Sequence, residues 1–413
     1  MMTRNIPEKI EILLRKGAVF PDPHNVIIGD EVDIDRISGN RLIIYSGCKI
    51  YGSSTLILDG VKIGYEGPVT LENCQVGSEV NLKGGYFKDS VFLKSSILGY
   101  GSHVREGTIL EEETSIAHTV GLKHTILFPY VTLGSLINFC DCFMSGGTSR
   151  KDHSEVGSSY IHFNYTPNQD KATPSLIGDV PNGVMLKQKP IFLGGQGGLV
   201  GPCRLTFGTT IAAGTICRKD ELRPGRLIIG GPVKNENIPF TPGNNINIKK
   251  IIDNNFIYIA NLSALMFWYS QVRSQFISLD FPETLLSGLK EKLNLAILER
   301  IKRLKELFDK TYDNNAVIER IWSEIENNFI SEEDLPGLIP LKNSFLDIIY
   351  SGIKNFGKEY LPVIKNLSDE ESNIGTQWLQ GIVDIKTDTA LKLLQPVCPI
   401  NLLQSSQREP ISP

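Results

Sequence analysis

A sixfold spacing of branched aliphatic residues constrains this chain more than any other feature. Val26-Ile27-Ile28-Gly29 runs into Asp30-Glu31-Val32-Asp33-Ile34. The theme returns in Val61-Lys62-Ile63-Gly64, in Val76-Gly77-Ser78-Glu79-Val80-Asn81-Leu82, across residues 97–104 and in Thr132-Leu133-Gly134. It is cleanest in Leu199-Val200-Gly201-Pro202 and across residues 205–216. Aliphatic residues recurring about every six positions, each followed by Gly or another small residue, are the hexapeptide pattern of a parallel β-helix. A short strand of this kind points one aliphatic side chain inward. Only stacked coils bury the resulting column, because a single coil has nothing to cover it. An antiparallel sandwich would show alternation over five to eight residues, and that alternation is mostly missing.

Glycine marks where the pattern stops. Of the 38 glycines, 31 precede residue 235. Turns at positive φ fit many short strands and disfavour helices. Behind Gly230-Gly231-Pro232 and the Pro, Gly and Asn of residues 239–247 the period changes. Leu293, Ile297, Ile301, Leu304 and Phe308 step by three or four, as do Ile318, Ile321, Ile325 and Phe329, and then Phe345, Ile349, Ile353 and Phe356. These spacings predict amphipathic helices and hence a helical bundle. The apolar segment 256–269 reads as a buried helix, too short for a membrane span. The expected organisation is a lead-in helix over 1–20, a left-handed parallel β-helix over 21–235, a linker over 236–247, an all-α helical domain over 248–400 and a tail over 401–413.

Charge and cysteine narrow the function classes. With 42 basic against 46 acidic side chains the net charge is -4, which supplies no concentrated basic surface for nucleic acid. The first twenty residues carry charges throughout and do not read as a signal peptide. Seven thinly spread cysteines fit a reducing compartment, so a cytoplasmic protein is expected. Cys140-Asp141-Cys142 lacks a second Cys or His pair at zinc spacing, and no metal is expected.

Residues 138–219 carry more specific pieces. They are Asn138-Phe139, His153, Asn164-Tyr165 with Lys171 seven positions after Asn164, Leu176-Ile177-Gly178-Asp179, Phe192-Leu193-Gly194, Leu199-Val200-Gly201-Pro202, and Ile211-Ala212-Ala213-Gly214-Thr215 ending in Arg218-Lys219-Asp220. In these the chain resembles the acetyltransferase part of the bacterial bifunctional N-acetylglucosamine-1-phosphate uridyltransferase/glucosamine-1-phosphate acetyltransferase. The resemblance implies a left-handed parallel β-helix, a homotrimer and acetyl-CoA bound between neighbouring subunits, with a sugar-derived small molecule as acceptor. It also implies roles. His153 would be the base, Asn164 and Tyr165 would orient the acceptor, and Lys171 would contact it. Gly195 and Ala213 would line the CoA groove, with Arg218 and Lys219 near the CoA phosphates. Histidine suits the first role because its pKa lies near working pH. His162 is a second candidate imidazole. Gly194-Gly195-Gln196-Gly197-Gly198 matches no P-loop and reads as coil corners.

The departures are equally specific. The family's Gly-rich nucleotide-binding loop has no counterpart here, so uridyl transfer is not expected of this chain. Where the family grips the sugar phosphate with cations, Phe128 and Phe143 stand, and a phenyl ring makes no charge-assisted bond to phosphate. About a dozen extra residues intrude near 180–191. The alternative expectation is a trimeric scaffold or regulatory module whose helical domain binds a protein partner.

Overall fold

The computed structural model describes residues 6–167, 169–231, 237, 247–311 and 316–397. After helix α1 (Glu8–Arg15) the chain winds through three parallel sheets of ten, eight and ten short strands, visiting them in a fixed cycle. Face 1 begins with the strand Ile27–Ile28, face 2 with Leu56–Ile57 and face 3 with Ile43–Ile44. This is the parallel β-solenoid expected from the sixfold spacing. The register explains why that spacing works. On face 3, Ile63, Leu82, Leu98, Ile116, Leu133, Val156, Leu193 and Ile211 stack coil upon coil. On face 1, Ile50, Leu71, Phe87, Val104, Leu122 and Phe139 do the same. All are shielded from water. Each rung shares its burial with two neighbours, so trimming one methylene is felt locally. Ile116→Val is expected to cost about 0.5–1.5 kcal/mol, read as a shift in urea midpoint without a change in slope.

Face 2 differs from the other two. The outward positions of face 3 are mainly polar, as at Lys62, Asn81, Ser115, Thr132 and Glu155. Five successive outward positions of face 2 are Val91, Ile109, Ile126, Phe143 and Leu176, one above another and all buried. They are covered by this chain's own helical part: α3 (Ile248–Phe267), α4 (Glu283–Thr311), α5 (Ala316–Ile330), α6 (Ile339–Phe356), α7 (Tyr360–Lys365) and α8 (Asp369–Leu394). Helix α4 lies against the face-2 strands Gln75–Val76, Ser90–Phe92 and Thr108–Leu110. The segment 256–269 is buried inside the helical part, as its hydropathy predicts. The expected linker, apart from residues 237 and 247, and the expected tail lie outside the described residues. Asn247 caps α3 by accepting from the Lys250 amide at 3.0 Å.

The extra residues near 180–191 are not a passive insertion. They contain a one-turn helix, α2 (Val180–Gly183), which reaches the helical part. Asn261 Oδ1 accepts from the Val180 amide at 2.9 Å, and Thr376 Oγ1 donates to the Pro181 carbonyl at 3.1 Å. Phe128 and Phe143 meet edge to face, 4.7 Å between centroids, in the core beneath these helices. Their aromatic character therefore serves packing and not phosphate binding.

Buried charge completes the junction. Arg300 on α4 holds Asp141 at 2.7 Å, and Arg273 holds Glu112 at 2.5 Å. Tyr269 donates to Glu111 Oε1 at 2.6 Å. Burial, reinforced by the neighbouring Glu112, pushes the Glu111 carboxyl up to about 8 despite Arg273 and the Tyr269 hydroxyl. Its folded value thus lies above the unfolded one, so its neutral form stabilises the fold fully below about pH 4.5 and that contribution is lost as pH rises to about 8. Relative to Glu111→Gln, which does not titrate, the wild-type protein should lose stability steadily across that window. Parallel thermal melts from pH 5 to 8 check this, and parallel profiles would refute it.

Candidate functional site

Three corners of the solenoid hold the residues singled out in the sequence. His153 lies between faces 2 and 3, in a hairpin formed by Gly147–Ser149 and Asp152–His153. Gly147 is needed there. Its φ is +93°, and a Cβ would come within 2.5 Å of the His153 Cα. Arg150 at the hairpin tip donates through Nη1 to the carbonyls of Glu113 and Tyr130, both at 2.9 Å, and to Thr132 Oγ1 at 3.2 Å. This pins the hairpin to the coils preceding it. The His153 Nδ1 lies 2.9 Å from the Arg150 carbonyl. A carbonyl oxygen only accepts, so Nδ1 carries a proton, and in the neutral ring Nε2 keeps its lone pair. Nε2 stands 3.8 Å from Glu155 Oε2, and the His153 side chain is 20% exposed. The imidazole is oriented, accessible and flanked by a carboxylate able to stabilise its protonated form.

Asn164, Tyr165 and Lys171 occupy the corner between faces 1 and 2, in the loop linking the strands Ile161–Phe163 and Ser175–Ile177. Tyr165 is exposed. Asn164 donates through Nδ2 to Asp141 Oδ2 at 2.7 Å, and Asp141 is the partner of Arg300. Helix α4 grips the same loop by its backbone. Arg300 Nη1 donates to the Lys171 carbonyl at 3.1 Å and Lys310 Nζ to the Gln169 carbonyl at 2.8 Å. Asn255 Nδ2 on α3 donates to the Ala172 carbonyl at 2.9 Å. The Lys171 side chain itself is exposed. Arg218 and Lys219 sit exposed at this corner two coils on. The Lys219 carbonyl accepts from the thiols of Cys203 and Cys217.

Gly195 and Ala213 fall at the third corner, between faces 3 and 1, on successive coils. The Gly214 amide donates to the Gly195 carbonyl at 2.9 Å. Backbones stack closely there: a Cβ on Gly157 would meet Gly195 N at 2.4 Å, and one on Gly194 would meet Ala213 N at 2.4 Å. The structure thus brings Gly195 to Ala213, and Asn164 and Lys171 to one loop. Within one chain it leaves His153, Asn164 and Gly195 at three separate corners.

His162 belongs to the core. It continues the inward column of face 1, one coil beyond Phe139, with Nδ1 2.6 Å from the Cys140 carbonyl and Nε2 2.8 Å from Ser175 Oγ. Burial pushes its imidazole down to about 4. Among the described residues no cluster of His, Cys, Asp or Glu would hold a metal ion, and no helix is long and apolar enough to cross a membrane. Sequence reasoning missed Arg150 and Glu155. Their signal was their place three before and two after His153 in an otherwise polar run.

No family model matches the chain. Among curated proteins it is similar to the bifunctional protein GlmU of Corynebacterium aurimucosum, 27% identical over 222 residues, which are 54% of this chain and 40% of that one. The bifunctional protein GlmU of Thermotoga maritima is 27% identical over 213 residues, 51% of this chain and 42% of that one. That of Pelobacter propionicus is 27% identical over 209 residues, 50% and 40%. The chain therefore spans about two fifths of the length of the relatives it matches. Taken with the coiled sheets and their inward columns, these matches make the chain a distant relative, over about half of its length, of the hexapeptide-repeat GlmU proteins.

Proposed function

We propose that the solenoid is an acyltransferase that moves the acetyl group of acetyl-CoA to an amine or hydroxyl of a sugar derivative. The observation that carries this reading is the His153 imidazole, held by the Arg150 carbonyl with Nε2 left as acceptor. In the reaction Nε2 takes the proton of the attacking group as its nitrogen or oxygen bonds to the thioester carbon, the C–S bond then breaks, and the imidazolium returns that proton to the departing CoA thiolate. Glu155 stabilises the imidazolium that forms. Since His153, Asn164 and Gly195 stand at different corners, one complete site takes residues from neighbouring copies, which is the reason to propose a homotrimer. Tyr165 and Lys171, both exposed, then reach the acceptor across the seam, while Gly195 and Ala213 let pantetheine lie against the coils, and Arg218 and Lys219 meet the phosphates. Isothermal titration with CoA tests the reading. Saturable binding supports it, and no heat at millimolar CoA ends it.

A second reading, a scaffold or regulatory module, is favoured by one observation. The Asn164 amide, which would orient the acceptor, is directed at Asp141 and so at Arg300 of the helical part. Under that reading CoA does not bind and the helical surface engages a protein partner.

A further inference from the structure

On the coils that precede the His153 hairpin, along the same corner between faces 2 and 3, a cavity of about 860 Å³ opens between the edge of the solenoid and the helical part. That is within the range of small-molecule sites, which favour junctions between structural units. Its solenoid wall is formed by Lys94, Glu112 and Tyr130, its helical wall by Arg273, Phe281 and Tyr360. The Arg273 guanidinium stacks on both rings of the helical wall, 3.8 Å from the Tyr360 centroid and 4.4 Å from that of Phe281. One of its nitrogens is spent on Glu112 Oε1. Arg273 Nε and Nη1 and Glu112 Oε2 are buried and have no hydrogen-bond partner among the described residues. A buried donor and a buried acceptor left unpaired side by side are costly, and a ligand group that both accepts and donates relieves both.

The charge of the lining selects the class of ligand. Among the described residues the lining carries four cations, Lys94, Arg273, Lys358 and Lys365. Against them stand four carboxylates, those of Glu112, Glu113, Asp280 and Glu359. Two of the pairs are direct contacts, Arg273 to Glu112 and Lys94 to Asp280 at 2.7 Å. A wall balanced in this way gives no net field to favour an anion or a cation. What remains is aromatic surface and hydrogen-bonding groups. The mouth is the turn 277–281, tied to the solenoid by Asp280 and to Lys358 through the Ile277 carbonyl. At its tip Leu279 is 97% exposed, an apolar side chain at the entrance with no wall to cover it.

We infer that this cavity is a binding site for a neutral, ring-shaped small molecule bearing hydroxyl or amide groups, the chemistry of a sugar or a nucleoside. The ring lies against the aromatic wall, and its hydroxyl or amide groups answer Arg273 and Glu112. The inference does not depend on acetyl transfer, because none of the residues assigned to that reaction lines the cavity.

The test is saturation-transfer NMR on the full chain with uridine and N-acetylglucosamine as neutral probes and inorganic phosphate as the ionic one, each at millimolar concentration. The expected result is saturable binding of at least one neutral probe and none of phosphate. Arg273→Met is the obvious variant but risks the fold by stranding Glu112. Ser278→Trp instead fills the mouth, where the Ser278 backbone amide bonds Phe281 and its side chain is not needed for that bond. It should weaken the neutral probe at least tenfold with an unchanged circular dichroism spectrum. Failure of both neutral probes to bind, binding of phosphate alone, or neutral binding untouched by Ser278→Trp overturns the inference.

Discussion

His153→Ala is expected to lower the turnover of acetyl-CoA with a sugar amine by about 100-fold or more while leaving CoA affinity within about threefold. Both halves follow from where the ring sits. The imidazole is carried by a hairpin on the corner between faces 2 and 3, whereas Gly195 and Ala213 lie on another corner. Removing the ring therefore removes the proton acceptor and no part of the groove. His153→Gln is the informative companion. A glutamine amide can still bond the Arg150 carbonyl, so the hairpin keeps its shape, but it has no basic nitrogen, and the loss should equal that of alanine. Arg150→Met acts differently. It frees the hairpin from the carbonyls of Glu113 and Tyr130 and from Thr132, so the ring is still basic but no longer aimed. An intermediate loss in kcat with the same pH profile would mark Arg150 as a positioning residue. Turnover unchanged in His153→Ala, measured by release of free CoA thiol, would remove His153 from the reaction altogether.

Most of the solenoid was legible because its stabilising interaction is periodic. Residues such as Leu82, Leu98, Ile116 and Leu133 are alike because they occupy equivalent positions in successive coils. The helices behind residue 247 were legible for the same reason, with Ile318, Ile321, Ile325 and Phe329 all on the buried side of α5. What went unread was the docking of the two parts, although it too had left a trace. On faces 1 and 3 the inward residue of each strand pair is mainly apolar and the outward one mainly polar. On five successive strands of face 2 both are apolar: Val91-Phe92, Ile109-Leu110, Ile126-Leu127, Phe143-Met144 and Leu176-Ile177. A strand covered on both sides reads as a continuous apolar run, so these five strands announced the helices that cover them. The candidate site was legible only residue by residue. A sequence names Asn164 without revealing that its amide faces Asp141, because that contact depends on Arg300, more than a hundred positions away.

Arg300→Met is expected to destabilise the protein by about 3–5 kcal/mol, because it leaves the carboxylate of Asp141 buried without its counter-ion. Both side chains of this pair are almost wholly excluded from water, at 2% and 5% exposure, so solvent does not screen the loss. Asn164 offers Asp141 a neutral donor that cannot replace a guanidinium. The same substitution removes the bond from Arg300 to the Lys171 carbonyl and loosens the loop that carries Asn164 and Tyr165. Asp141→Asn placed on top of Arg300→Met removes the stranded charge and should recover more than half of the loss, which separates the cost of an unpaired carboxylate from that of a missing contact. Urea unfolding of the wild type, the two single variants and the double variant forms the cycle. Additive losses would show that the pair does not couple the helical part to the solenoid. A double variant as stable as the wild type would show that this buried pair fixes the position of α4 over face 2 more than it strengthens the fold.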